Sequence, residues 1–365
     1  MTGSPPPGSS NVQARATMSS PPSAAGPLAG LKIVEMHAIG PVPFAGQLLA
    51  GLGADVVRIS PPADPKLGVG LKPEYDLLNR GKRIELLDLK QPDGLAAARA
   101  ILDRSDVMLE GFRPGVIERI GLAPATLLAS NPRLVIGRLS GWGARGAMAE
   151  RAGHDINYLA LAGVLNAIGT ADAPVPPLNV VADFGGGAMH LVVGVLAQLV
   201  RRSIGGRGGE VTSSILAGTV GLTPMFHGML AGGYWNLQRC NNLLDGAPPF
   251  YRVYRTRDDR FVAVGALEAK FYQLLLQALE LQGEVDPRRQ HDRSSWPQTI
   301  ERFAQRFAQR TRDEWAKVGE ATDACLSPVL DFVEAAAHPH NRANALYTDD
   351  PFARPGRTIT FDEAR

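Results

Sequence analysis

From residue 27 onward, short apolar runs rich in β-branched side chains alternate with segments whose apolar positions recur at helical spacing. Residues 31–36 and 54–59 read as strands, with a helix at 44–52 between them, and Ser60-Pro61-Pro62 ends the second strand. A β-α-β unit therefore opens the chain. Further strands at 106–110 and 133–139, with a helix at 92–104, extend it to an α/β domain with a mostly parallel sheet. The apolar stretch 192–200 stops at Arg201-Arg202 and reads as a buried helix, entered from a glycine-rich loop at 183–187. After Pro224 the pattern changes. Residues 250–254 and 260–265 alternate around Arg257-Asp258-Asp259 as a hairpin, and helices follow at 270–281 and 297–309. The expected organisation is a large α/β domain of 27–224 with 326–365, a small α+β domain at 225–325, and a Ser- and Pro-rich disordered extension at 1–26.

Composition excludes several classes. The 38 basic and 36 acidic residues nearly balance, so no electrostatic footprint for nucleic acid is present. No uninterrupted apolar run reaches the length of a membrane span. With only Cys240 and Cys325, the chain has no disulfide framework and reads as a reduced, cytoplasmic protein. His338-Pro339-His340 is too small a cluster to read as a metal site. The Gly-x-Gly-x-x-Gly fingerprint of dinucleotide enzymes is missing after the first strand, and the second strand ends in Arg58 where such enzymes place an acid for the ribose diol. Arginine there suits a phosphorylated ribose. Arg58, Arg80, Lys82, Arg83 and Arg113 are accordingly candidate partners for anionic phosphates.

Two titratable residues flanked by glycine carry the candidate chemistry. His154 lies in Gly153-His154-Asp155-Ile156-Asn157-Tyr158, and Asp183, 29 positions later, in Ala182-Asp183-Phe184-Gly185-Gly186-Gly187. Glycine would let a substrate approach both side chains. An imidazole and a protonated carboxylic acid on opposite faces of a carbon acid can remove and return a proton, which is racemase or epimerase chemistry.

These two runs, together with Pro27-Leu28-Ala29-Gly30-Leu31-Lys32, Gly51-Leu52-Gly53-Ala54-Asp55-Val56-Val57-Arg58, Glu110-Gly111-Phe112-Arg113-Pro114-Gly115 and Leu139-Ser140-Gly141-Trp142-Gly143, resemble the class III CoA-transferase superfamily over residues 27 to about 350. The Gly-His-Asp run, and Asn242-Leu243-Leu244-Asp245-Gly246-Ala247-Pro248, are similar to its racemase branch. The resemblance implies a Rossmann-like large domain with a smaller α+β domain, in an interlocked homodimer. It also implies a 2-methyl-branched acyl-CoA substrate inverted at C2 through an enolate. Coenzyme A would then be part of the substrate, and no separate cofactor or metal is expected. His154 and Asp183 would exchange the proton, and Glu268 would reach the site from the other subunit to orient His154. Asp155 and Tyr158 would position His154 or the pantetheine arm, and N–H groups of Gly185–Gly187 would hold the enolate oxygen. Two alternatives stay open: a CoA-transferase in which Asp183 is the nucleophile, and a non-catalytic acyl-CoA-binding protein.

Overall fold

A computed structural model of the chain describes residues 26–63, 68, 70–350, 354–356 and 358–361. The expected disordered extension, apart from Gly26, lies outside the described residues. Six strands form one sheet: β1 (Lys32–Met36), β2 (Asp55–Ser60), β3 (Arg83–Leu86), β4 (Val107–Glu110), β5 (Val135–Ser140) and β6 (Gly209–Ser214), in the order β3-β2-β1-β4-β5-β6. The pairings β1–β2, β1–β4, β2–β3 and β4–β5 are all parallel. Strands buried on both faces read as continuous apolar runs, which is why Ile33, Val34, Val107, Met108 and Leu109 are all at most 1% exposed. Helices α1 (Pro41–Gly51) and α2 (Pro92–Leu102) each begin with a proline, whose missing N–H costs nothing in the first turn. Ala98 and Leu102 of α2 join Val34, Met36, Ile59 and Met108 in one buried cluster.

Three antiparallel strands, β7 (Tyr251–Arg255), β8 (Phe261–Gly265) and β9 (Leu326–Pro328), form the second sheet. The expected hairpin is β7–β8, and the return strand β9 pairs on its far side. An aromatic core of Phe250, Tyr254, Tyr272, Phe303, Phe307 and Trp315 backs this sheet. Contacts divide the chain into two compact units, 1–138 with 191–211, and 139–190 with 212–365. These cuts fall elsewhere than the composition-based boundaries at 224 and 325. The reason is local: residues 139–190, which carry both candidate catalytic side chains, pack against 215–221, and this attaches them to the C-terminal part of the chain.

Between those pieces runs a long helical stretch. Its first nine residues, Val181–Met189, are π-helical, and it continues as the α-helix His190–Gly205. Taken with Leu178–Val180, the stretch is long and apolar enough by length and composition alone to cross a membrane, a test that the core helix of a soluble protein also passes. Asp183, His190 and Gln198 interrupt it, so that it holds no unbroken apolar run of that length. One face is that of a core helix: Leu191 and Val195 are fully buried.

Candidate active site

Helix α3 (Asp155–Leu161) starts immediately after His154, which occupies its N-cap in an extended conformation. The His154 N–H donates to Asn157 Oδ1 at 3.0 Å, so the residue three places on fixes the backbone from which the imidazole projects. Tyr158 braces the same turn. Its hydroxyl donates to the Gly153 carbonyl at 2.7 Å, and its ring meets Trp142 edge-on with centroids 4.7 Å apart. A Cβ on Gly153 would stand 2.6 Å from the Trp142 ring, so this glycine clears a neighbouring side chain. His154 itself is exposed and Asp183 half-buried.

Asp183 is the third residue of the π-helical segment. An expected loop is here a helix, and this changes two assignments. The N–H groups of Gly185, Gly186 and Gly187 are consumed by the π-helix, whose bonds run back five residues, so they do not form the expected oxyanion site. Two of the donors at the helix entry are also taken. Asp155 Oδ2 accepts from the Asp183 N–H at 2.8 Å, and the Asp155 carboxylate also accepts from the N–H of Ala182. Asp155 therefore faces the Asp183 backbone, and Tyr158, buried with its hydroxyl on the Gly153 carbonyl, braces the backbone next to His154, the first of the two roles expected of this pair.

The triple glycine serves packing. Gly186 lies against α4 (Ile215–Gly221), where an added Cβ would stand 2.6 Å from the Thr219 nitrogen. A Cβ on Gly218 would be 1.7 Å from the Gly186 carbonyl oxygen. The two backbones touch because neither carries a side chain.

Burial, and next the negative charge of Asp155, push the Asp183 carboxyl up to about 6; a side-chain hydrogen bond from Asn179 and the charge of His154 act in the opposite direction. Asp183 and His154 are thus within electrostatic reach of each other. Such a carboxyl can hold a proton near neutrality and also release it, as carbon-acid chemistry requires.

The basic candidates lie in the other unit and divide into two kinds. Arg58 is 5% exposed, and its register partner across the parallel pair is Glu35. All five guanidinium donors have acceptors: Glu35 Oε1 at 2.8 Å, Asn79 Oδ1 at 2.7 Å, the Ala38 carbonyl at 2.9 Å, Ser60 Oγ at 3.3 Å and His37 Nδ1 at 3.2 Å. Lys82 is equally committed, to Glu35 Oε2, the Pro43 carbonyl and Asn79 Oδ1. Arg58 and Lys82, expected to meet phosphates, are here held together by one buried carboxylate, that of Glu35. Burial pushes Glu35 up and Lys82 down to about 8, in each case against the pull of the opposite charge. Removing either cation would leave a buried charge short of a partner, at a cost of about 3–5 kcal/mol. Arg80, Arg83 and Arg113 are exposed; Arg83 has only loose pairs with Asp55 and Glu85. Glu268 is exposed at the N-cap of α5 (Ala269–Ala278), where its charge acts on the Cys325 thiol.

With this geometry in hand, comparison with known proteins is decisive: residues 28–361 match CoA-transferase family III. The chain belongs to that family. Two relatives to which the chain is similar are α-methylacyl-CoA racemases. That of Mus musculus is 44% identical over 338 residues, covering 91% of this chain and 86% of its own, and that of Homo sapiens is 42% identical over 321 residues, covering 88% and 82%. A succinyl-CoA–D-citramalate CoA-transferase of Chloroflexus aurantiacus is 30% identical, covering 72% and 67%. Among solved structures, a hypothetical protein of Mycobacterium tuberculosis superposes with a TM-score of 0.77 at 25% identity, covering 93% of this chain and 95% of its own. Family membership accounts for the parallel six-stranded sheet accompanied by a small antiparallel one.

Proposed function

We propose that the chain is an isomerase that interconverts the 2R and 2S forms of 2-methyl-branched acyl-CoA thioesters by moving the C2 proton. The observation that carries this reading is the Asp183 carboxyl, pushed up to about 6 within electrostatic reach of His154. The 44% identity to a racemase, against 30% to a transferase, supports the same branch of the family. In one direction neutral His154 removes the proton from one face of C2 while protonated Asp183 returns one to the other; in the reverse direction the carboxylate removes and the imidazolium returns. The pair holds one proton at the start of either reaction. Proton transfer of this kind is redox-neutral, so the thioester needs no electron acceptor. Arg80, Arg83 and Arg113 are the basic residues from the original set still available to the coenzyme A phosphates. We further propose a homodimer in which Glu268 of one subunit serves the site of the other.

His154→Ala and Asp183→Asn should each lower racemisation of a 2-methylacyl-CoA by about 10² to 10⁴-fold. In heavy water each variant should still exchange the C2 proton of one enantiomer, and the enantiomer should differ between the two. Acyl transfer to an added carboxylic acid, with C2 exchange indifferent to His154, would instead make Asp183 a nucleophile. Tight thioester binding with no exchange in the unmodified protein would leave only a binding role.

A further inference from the structure

Asp155 is a carboxylate that the proposed reaction does not consume, yet it stands between the two residues that the reaction uses. It follows His154 directly in sequence as the first residue of α3, and it accepts from the N–H groups of Ala182 and Asp183 at the start of the π-helical segment. Serine, threonine or asparagine would satisfy such donors comparably well. What only an acid adds is a negative charge, held against the backbone of Asp183 in a half-buried place. We propose that Asp155 is a positioning residue for the C2 proton transfer: its carboxylate fixes the start of the Asp183 helix and sets a like charge beside Asp183, so that Asp183 keeps a proton to donate. This rests on the racemase reading of the site.

The surroundings of Asp183 leave few other groups able to do this. From α3 it is faced by His154 and Asp155, and from the 178–180 turn by Asn179, whose amide donates to the carboxylate. The opposing helix α4, of sequence Ile-Leu-Ala-Gly-Thr-Val-Gly, carries no titratable residue. On the same helical stretch His190 is bonded through Nδ1 to the Gly185 carbonyl at 3.1 Å. Asn179 and His154 both favour the ionised form of Asp183; of these neighbours, Asp155 alone opposes it.

The test is a carboxyl-carbon NMR titration of the full-length protein labelled at aspartate, with Asp183 assigned from Asp183→Asn. Asp155→Asn and Asp155→Ser both keep an oxygen for the backbone donors and remove the charge, and circular dichroism checks that the helices persist. In both variants the Asp183 titration should move down by about one unit or more. An unmoved titration in folded protein overturns the proposal. A second measurement separates this from the reading beneath it. In a His154→Ala background, where Asp183 alone acts as base, the midpoint of C2 proton exchange against pH should follow the carboxyl titration downward when Asp155 is replaced. A carboxyl that titrates lower while the exchange midpoint stays fixed leaves the charge of Asp155 acting on Asp183 but removes Asp183 as the base, and with it the positioning role in proton transfer.

Discussion

Ionising Asp183 opposes folding, because the folded protein holds its proton more tightly than the unfolded chain does. The carboxyl rises from 3.8 to about 6 on folding. The associated stability is fully present below the unfolded value and is lost as pH rises through about 6. Asp183→Asn removes that loss. The variant should therefore melt at a higher temperature than the parent at pH 8, and the difference should shrink as the pH falls below about 4. Thermal melts at the two pH values check it, and an inactive variant that is also less stable at pH 8 would contradict the buried, charge-repelled environment. His154 and Asp183 were legible in the sequence because each stands in a distinctive run beside glycine. The commitment of Arg58 was not. Its partner Glu35 is 23 residues away and becomes its neighbour only through strand register, while Asn79 arrives from the connection after β2.

Strands β1, β2, β4 and β5 and helices α1 and α2 lie within a few residues of the positions that hydrophobic periodicity gives, because a buried parallel sheet demands runs that a surface segment would not contain. The outer strands β3 and β6, whose side chains are mostly not buried, carry no such run and are not predicted by it. The π-helix escaped that reading. Glycine-rich sequence signals a loop when only local propensity is weighed, and what stabilises Val181–Met189 as a helix is tertiary: backbone contact with α4 and the acceptor supplied by Asp155. Gly218→Ala should accordingly destabilise the fold by about 1–3 kcal/mol or more, since its Cβ has a carbonyl oxygen in the way. Gly205→Ala, at a position with open space around it, should be neutral or stabilising by about 0.4–1 kcal/mol. Urea unfolding of both variants compares them, and equal effects would refute the backbone contact.

For the molecule as a whole, much apolar surface faces outward from a single copy. Along the helix His190–Gly205, Val193, Val200 and Ile204 share an exposed flank, the last 85% accessible, and Phe332 and Val333 are similarly bare. Patches of this kind mark surfaces that associate. The proposed dimer predicts that sedimentation in dilute solution finds two copies and that Val200→Glu with Ile204→Glu weakens association; a stable, active monomer would remove the role of Glu268 across subunits. The helix that bears this flank begins in the π-helical segment, and the segment's winding has a consequence for how the enzyme tolerates change. Each residue of an α-helix turns the chain by about 100°. Excising one glycine from 185–187 would let the segment rewind as ordinary α-helix and swing Asp183 around the axis relative to everything downstream. Every functional group would still be present, and the carboxyl would be aimed elsewhere, so at this position residue count is as much a determinant of catalysis as residue identity.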